Sequence, residues 1–175
     1  MAEEKLPEFW LRGPISGIIP ELQPVAHALL QAAEEIIMVM NDFSQTLLWE
    51  KPAGVASVGF HLQHIAGVQD RLLTYALGQQ LAPEQLQYLK HEGENKGQSV
   101  SHLLDSLKNQ FNKTLEIIKS IKVEDVLQNR EVGRAKLPST VLGLLVHIAE
   151  HTMRHTGQLL VTVRILKEGS KNQGL

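Results

Sequence analysis

Four stretches of this chain carry apolar side chains every three or four residues. This spacing places the apolar side chains on one face of an amphipathic helix. The predicted helices run from about Pro24 to Leu48, from Ser57 to Leu77, from Ser99 or Ser101 through Ile118, and from Pro138 or Ser139 to Lys167. No stretch alternates apolar and polar residues for long enough to predict a sheet. The sequence therefore predicts an all-α fold, and four amphipathic helices of this length fit a four-helix bundle.

The predicted helices are bounded by residues that commonly begin and end helices. Ser57 is the predicted N-cap of the second helix, and Gly78 is its predicted C-cap. Gly169 is the predicted end of the fourth helix. Residues 90–98 and 128–139 are predicted loops, and residues 123–127 form at most one helical turn.

The length of 175 residues fits one domain with a buried core. We predict an N-terminal arm at 1–22, a single four-helix domain at 23–169 and a C-terminal tail at 170–175. The arm contains three prolines, which predict an irregular chain. Its apolar side chains are expected to cover the end of the bundle or to contact a second subunit: Phe9, Trp10, Leu11, Ile15, Ile18 and Ile19.

Composition excludes several classes of site and partner. The chain has no cysteine, which removes disulfides, cysteine-based zinc sites and a cysteine nucleophile, and fits a reducing compartment. The net charge of −2 predicts no binding to nucleic acid or to an anionic membrane. The first residues lack the pattern of a signal peptide, and no stretch approaches the roughly 18 apolar residues of a spanning helix. We therefore expect a soluble, cytoplasmic protein.

The eight histidines carry the strongest functional signal. His147, His151 and His155 follow one another at intervals of four residues on the fourth predicted helix, so they form one stripe. Two imidazoles at this spacing can bind one metal ion, and a third ligand must then come from another helix. His64 on the apolar face of the second helix offers that ligand, and His61 lies one turn before it. Three histidine ligands leave one coordination position open, as in catalytic zinc sites.

Two other interpretations of these histidines stay open at this point. A buried histidine pair can also be a hydrogen-bonded part of the core. The segment from His147 through Glu150 to His151 also matches H-x-x-E-H, the inverted zincin motif, in which Glu150 would be the general base. Glu150 lies about 100° from His151 around the helix, which favours a polar face for it. The histidines at positions 27, 91 and 102 are expected on the surface or in loops.

The fourth predicted helix resembles the C-terminal helix of the DinB/YfiT-like superfamily. The mark of that family is H-x-x-x-H followed closely by Gly-Gln, and it is present here as His151, His155, Gly157 and Gln158. The second helix is similar too, because the family places a histidine seven residues after a leading serine, here His64 after Ser57. The chain departs from the family at Thr156, where many members have arginine.

The resemblance implies a four-helix bundle of the DinB/YfiT-like type, a homodimer, and a divalent metal ion bound by His64, His151 and His155. The metal would be zinc, nickel or iron, since imidazole suits all three. Other residues are then candidates for a place beside the ligands or for a general base: His61, His147 and Glu150. The carboxylate or carbonyl that accepts a hydrogen bond from a ligand would come from Asp70, Glu150 or Gln158.

Some members of the family are transferases or isomerases that use a low-molecular-weight thiol such as bacillithiol, mycothiol or glutathione. The resemblance therefore implies a thiol cofactor, a small-molecule substrate and a metal that lowers the pKa of the bound thiol. The carboxylates of such a thiol would be held by Arg71, Arg134 or Arg154. Two alternatives remain, a hydrolase with metal-bound water as nucleophile and a non-catalytic bundle that binds metal or a small ligand.

Overall fold

The computed structural model describes residues 6–172 and shows a helical bundle with one short additional helix and one hairpin. The elements are α1 (Gln23–Met40), α2 (Val58–Ala76), α3 (Pro83–Lys90), α4 (Val100–Ser120), β1 (Asn129–Val132), β2 (Leu137–Thr140) and α5 (Val141–Asn172). The predicted all-α four-helix bundle is confirmed, and α1, α2, α4 and α5 form it. The ends of the predicted arm and tail, at 1–5 and 173–175, lie outside the described residues.

The core lies between the four long helices. Helix α5 packs against both α1 and α2, and α4 packs against α2 and α1, so the order around the bundle is α1, α5, α2, α4. The centre is filled by fully buried aliphatic side chains, among them Leu29, Ile36, Leu62, Ile65, Leu145, Ile148 and Leu159. Among residues 6–172, no helix has both the length and the apolar composition needed to cross a membrane. The histidine-bearing helices α2 and α5 are therefore neighbours.

Both predicted ends of α2 are confirmed. The hydroxyl of Ser57 accepts a hydrogen bond from the backbone N–H of Phe60 at 3.2 Å, which caps the start of the helix. Gly78 has a φ of 74°, and the N–H of Gln79 donates to the carbonyl of Thr74 at 2.9 Å. This is the Schellman arrangement that a glycine after a helix permits. Capping interactions thus define both ends of α2.

The first helix ends at Met40, and the prediction that it continues to Leu48 was wrong. Asp42 has a left-handed φ of 54°, a conformation that aspartate tolerates in turns, and the chain leaves the helix there. Phe43 and Leu48 are nevertheless buried, with 7% and 0% of their surface exposed. These two apolar residues contact the core from outside the helix. Their spacing from the apolar residues of α1 had indicated a longer helix.

The last helix begins and ends later than predicted. It begins at Val141, because residues 137–140 form β2, and the hydroxyl of Thr140 accepts a hydrogen bond from the N–H of Gly143 at 3.0 Å. Gly169 does not end the helix, which continues to Asn172. Gly169 does not adopt the positive φ of a C-terminal glycine, and a glycine inside a helix costs only about 1 kcal/mol relative to alanine.

The hairpin of β1 and β2 and the short helix α3 were not predicted. Residues 128–139 were expected to be a loop, but β1 and β2 pair antiparallel, with Asn129 opposite Thr140 and Val132 opposite Leu137. Strands of four residues are too short for alternation to identify them. The short helix α3 was missed as well, because its side chains Leu86 and Leu89 are 44% and 45% exposed and form no core-facing stripe.

The described part of the N-terminal arm packs along α1 of the same chain. The N–H of Phe9 donates to Oε1 of Gln31 at 3.0 Å. Arg12 donates to both carboxylate oxygens of Glu34 at 2.8 and 2.7 Å. Ile18 is buried with 8% of its surface exposed, which joins the arm to the core. Residues 6–22 thus extend the bundle along the outside of α1.

Candidate metal centre

The structure brings together the three histidines that the sequence proposed as ligands. One ring nitrogen of each of His64, His151 and His155 lies within 4.8 Å of the others. Nε2 of His64 is 2.9 Å from Nε2 of His151, and the ring centre of His155 is 4.5 Å from that of His64. Within residues 6–172, this is the one group of three or more histidine, aspartate or glutamate side chains with such spacing.

The ring of His64 is held by the aromatic side chain one turn before it. Phe60 stacks on His64 with ring centres 5.0 Å apart and an angle of 13° between the planes. Gly93 also lies against Phe60, since a Cβ atom at position 93 would be 3.0 Å from Cδ2 of Phe60. Sequence reasoning missed Phe60, although its spacing of four residues from His64 was the available signal.

His61 is a fourth histidine at this site. Its side chain is buried, and its Nδ1 lies 3.2 Å from Nδ1 of His155. One of these two nitrogens must carry the hydrogen and donate it to the other. Burial, with a smaller contribution from the charge of His64, lowers the pKa of His61 to about 4. His61 is therefore a neutral hydrogen-bond partner of a candidate ligand at neutral pH.

Two of the candidate ligands are also held in the neutral form. Burial, with smaller contributions from the neighbouring histidines, lowers the pKa of His155 to about 4. Burial is also the main reason that the pKa of His151 is lowered. A metal ion binds the lone pair of a neutral imidazole and competes with a proton for it. The site therefore offers unprotonated ring nitrogens at neutral pH.

A buried carboxylate from the chain between α3 and α4 reaches His64. Oε2 of Glu92 accepts a hydrogen bond from Nδ1 of His64 at 2.7 Å, and Oε1 accepts one from Nη1 of Arg71 at 2.6 Å. The Glu92 side chain is only 4% exposed. Sequence reasoning missed this residue, because 28 positions separate it from His64 and it lies in a polar loop. No local spacing rule connects two such positions.

The residues predicted to accept a hydrogen bond from a ligand lie elsewhere. Asp70 accepts hydrogen bonds from Lys113 at 2.6 Å and from Gln85 at 2.5 Å, so it joins α2 to α4 and α3. Gln158 is exposed on α5. Neither Asp70 nor Gln158 forms a side-chain hydrogen bond with a candidate ligand within residues 6–172, and Glu92 accepts the one from His64.

Within the H-x-x-E-H segment, His147 and Glu150 lie on the solvent side of α5. The side chain of His147 is 52% exposed, and its Nδ1 is 3.5 Å from Oε2 of Glu150. The carboxylate of Glu150 also pairs with Arg154. The ring of His147 is centred 5.4 Å from that of His151, but His147 lies outside the group of three that converges. His155, on the next turn, takes the place that the inverted zincin motif would give to His147.

The three candidate arginines differ in their availability to an anionic cofactor. Arg71 is already paired with Glu92, so the structure does not leave it free. Arg134 lies in the turn between β1 and β2. Arg154 is adjacent to His155, and its side chain is 55% exposed. The histidines at 27, 91 and 102 also lie outside the converging group, as expected.

The donor set fits a divalent metal ion. Nε2 of His64 lies 2.9 Å from Nε2 of His151, and a third imidazole adjoins these two rings. Neutral imidazoles are common ligands of zinc and of other transition metals, and three protein ligands are typical of sites that keep one position open. The ring nitrogens of this cluster therefore suit a divalent metal ion, with Glu92 and His61 beside the rings.

Comparison with known proteins agrees with this arrangement. No curated protein matches the chain. A family model described as the DinB superfamily matches residues 22–159. The matched range begins just before α1, extends into α5 and includes all three converging histidines. Because this match spans well over half of the chain, the protein belongs to the DinB superfamily.

Proposed function

We propose that this chain binds one divalent metal ion through His64, His151 and His155. The observation that carries the proposal is the convergence of three imidazoles from two neighbouring helices. His64 and His151 offer Nε2, since these two atoms already face each other at 2.9 Å. His155 offers Nε2 as well, because its Nδ1 is paired with His61. Zinc, nickel and iron all suit these ligands.

We further propose that the site serves a transferase that uses a low-molecular-weight thiol and a small-molecule substrate. When bound, the metal ion is a Lewis acid that lowers the pKa of a thiol at the open position. The chain has no cysteine, so a thiolate must come from a cofactor. Arg154, which precedes His155 and pairs with Glu150, would hold a carboxylate of that cofactor through its exposed guanidinium. The resemblance to thiol-using members of the family supports the same assignment.

Metal content tests the ligand assignment. Untagged wild type, His64→Ala, His155→Ala and His147→Ala are compared by inductively coupled plasma mass spectrometry. His147→Ala is the matched control, because it removes an exposed histidine from the same helix. We expect close to one metal ion per chain in wild type and in the control, and loss in the other two variants. Loss in His147→Ala with retention in His155→Ala would support the inverted zincin motif instead. Absence of metal from every sample, even after reconstitution with zinc, overturns the proposal.

Cobalt substitution tests whether a thiol binds at the metal ion. Glutathione is the probe, and we expect it to change the visible absorption of the cobalt-substituted wild type, with a weaker effect in Arg154→Ala. Hydrolysis of a model ester without thiol would support the metal-dependent hydrolase. If glutathione changes no spectrum and no ester is hydrolysed, while the free energy of unfolding still depends on metal, the non-catalytic bundle is supported.

The homodimer and the cytoplasmic location stay predictions. Light scattering coupled to size-exclusion chromatography measures the mass in solution, and a mass of twice 19.5 kDa is the expected result. A mass of one chain at micromolar concentration would contradict the dimer.

A further inference from the structure

We propose that Glu92 determines which nitrogen of His64 is free to bind the metal ion, and so acts as a positioning residue of the metal centre. The inference rests on the proposed metal site. It extends that site to a residue on a different part of the chain, since Glu92 lies between α3 and α4, whereas the three histidines lie on α2 and α5.

Both oxygens of Glu92 are committed to donors. Oε2 is 2.7 Å from Nδ1 of His64, and Oε1 is 2.6 Å from Nη1 of Arg71. The side chains of Glu92 and Arg71 are 4% and 10% exposed. A buried charge that is paired on both sides has little freedom to reorient, because breaking either pair would leave an uncompensated charge. The carboxylate is therefore a fixed acceptor directed at one ring nitrogen.

The fixed acceptor selects one tautomer of His64. An ionised carboxylate accepts hydrogen bonds and cannot donate them, so Nδ1 of His64 must carry the hydrogen. In a neutral imidazole, Nε2 then has the free lone pair, and Nε2 is the atom that faces His151 at 2.9 Å. The other tautomer would place a hydrogen where the metal ion binds. The hydrogen bond to a carboxylate also makes the ring a stronger ligand.

Hydrogen bonds join the chain around Glu92 to α2, and they hold Glu92 in position beside His64. The N–H of Gly93 donates to Oε1 of Gln63 at 2.7 Å, and the hydroxyl of Tyr88 donates to the carbonyl of Gln63 at 3.1 Å. Gln63 immediately precedes His64 and is only 5% exposed. Tyr88 and Gly93, which lie before and after Glu92 in the chain, thus both bind Gln63, the residue next to His64.

Glu92→Gln tests the inference by replacing one carboxylate oxygen with an NH2 group. Arginine can only donate, so the amide oxygen of the new side chain must face Arg71 and its NH2 group must face Nδ1 of His64. Nδ1 then accepts, and the hydrogen moves to Nε2. We expect nitrogen-15 NMR of the metal-free protein to show the Nδ1–H tautomer of His64 in wild type and the Nε2–H tautomer in the variant. Zinc affinity, measured by competition with a chromophoric chelator, should fall about 10- to 100-fold.

Two further variants separate this role from a general effect of charge or folding. Glu94→Gln removes the same charge two residues away, from a side chain that is 54% exposed, and should leave tautomer and affinity unchanged. The double variant Arg71→Met with Glu92→Gln releases the amide from the arginine, so its oxygen can turn to His64. We expect this double variant to recover the Nδ1–H tautomer and to bind zinc more tightly than Glu92→Gln alone.

The outcomes distinguish this inference from the proposed function. If Glu92→Gln keeps the Nδ1–H tautomer and the zinc affinity of Glu94→Gln, the positioning role is wrong although the metal site stands. If wild type and Glu94→Gln bind no zinc, the proposed metal site is wrong. The tautomer of His64 in the metal-free protein still tests the contact with Glu92 in that case. Failure of the double variant to recover the tautomer also overturns the inference.

Discussion

Gly67 lies directly against the carboxylate of Glu92, so closely that a Cβ atom at position 67 would overlap Oε1 of Glu92. The same Cβ atom would lie 2.7 Å from Nη1 of Arg71 and 2.7 Å from the ring of Tyr88. These distances are shorter than real side-chain contacts, so a side chain at position 67 would force these groups to shift. The missing side chain leaves the room in which Glu92 approaches α2 and reaches His64.

Gly67→Ala should therefore disturb both packing and metal binding. We expect the free energy of unfolding to fall by about 1–3 kcal/mol, because an added methyl group forces neighbouring side chains out of place. Zinc affinity should fall as well, since Glu92 is one of the displaced residues. Urea denaturation measures the first effect and chelator competition the second.

Gly169→Ala is the matched control for this substitution. Position 169 lies in α5, and no heavy atom is within 4 Å of a Cβ atom there. Alanine in place of a helical glycine stabilises by up to about 1 kcal/mol, so this variant should be as stable as wild type or more so. Equal stability of the two alanine variants would show that the region around Gly67 is open.

Ser57→Ala should weaken the start of the helix that carries His61 and His64. The hydroxyl of Ser57 is fully buried and caps α2, and loss of such a cap costs about 0.5–2 kcal/mol. Thermal and urea unfolding measure the change. Ser106→Ala, at an exposed position inside α4, should alter stability by less than about 0.5 kcal/mol. A loss of similar size in both variants would rule out a specific role for the cap.

His61→Leu should weaken metal binding without removing a ligand. The substitution takes away the ring nitrogen that faces Nδ1 of His155 at 3.2 Å, and loss of such a partner typically lowers metal affinity about 10- to 100-fold. His61→Gln keeps an acceptor and should lose less affinity. His102→Leu, on the exposed surface of α4, serves as the control. Zinc affinity of His61→Leu that equals that of the control would contradict the contact.

The pair of Arg12 and Glu34 predicts a small acid sensitivity of the N-terminal arm. The hydrogen bonds from Arg12 hold the pKa of Glu34 below its ordinary value of 4.5. A carboxyl whose pKa is lower in the folded state than in the unfolded state contributes stability above the unfolded pKa. That stability is lost as the pH falls through the folded pKa. Wild type should therefore lose more stability than Glu34→Gln as the pH falls below 4.5.

The size of this effect is limited by exposure of the pair, whose side chains are 21% and 33% exposed. Urea midpoints at a series of pH values measure it. Glu116→Gln removes the same charge from a side chain that is 70% exposed and should follow wild type. Parallel curves for wild type and Glu34→Gln would show that the pair adds nothing in solution.

The features that the sequence predicted correctly have local signals. Ser57 and Gly78 mark the ends of α2 because caps depend on a few adjacent residues. His151 and His155 are brought together by a single helical turn, which is a property of spacing alone. His64 follows from its place on the apolar face of α2, which faces the neighbouring helix. Helix period and cap chemistry were sufficient for the helix ends and the histidine stripe, whereas the choice of His155 over His147 came from the resemblance to the family.

The features that escaped prediction depend on tertiary structure. Leu86 and Leu89 on α3 are nearly half exposed, so the helix lacks the apolar stripe that would have identified it. Glu92 becomes part of the site only when α3 packs beside α2, since its contact with His64 spans 28 residues. Phe43 led to the opposite error, a helix predicted to be too long. It is buried in the core although it lies in a turn after α1.

Glu92 gives the chain between α3 and α4 a direct contact with His64. Docking of that surface stretch and binding of an ion at the histidines are therefore linked equilibria, and each strengthens the other by the same factor. A molecule that holds the stretch in place from outside would raise metal affinity without touching the metal. Reciprocally, loading with metal would slow hydrogen exchange in residues 91–94, far along the sequence from every ligand. Metal occupancy at the histidines and protection of residues 91–94 from hydrogen exchange would therefore both report the same coupling free energy.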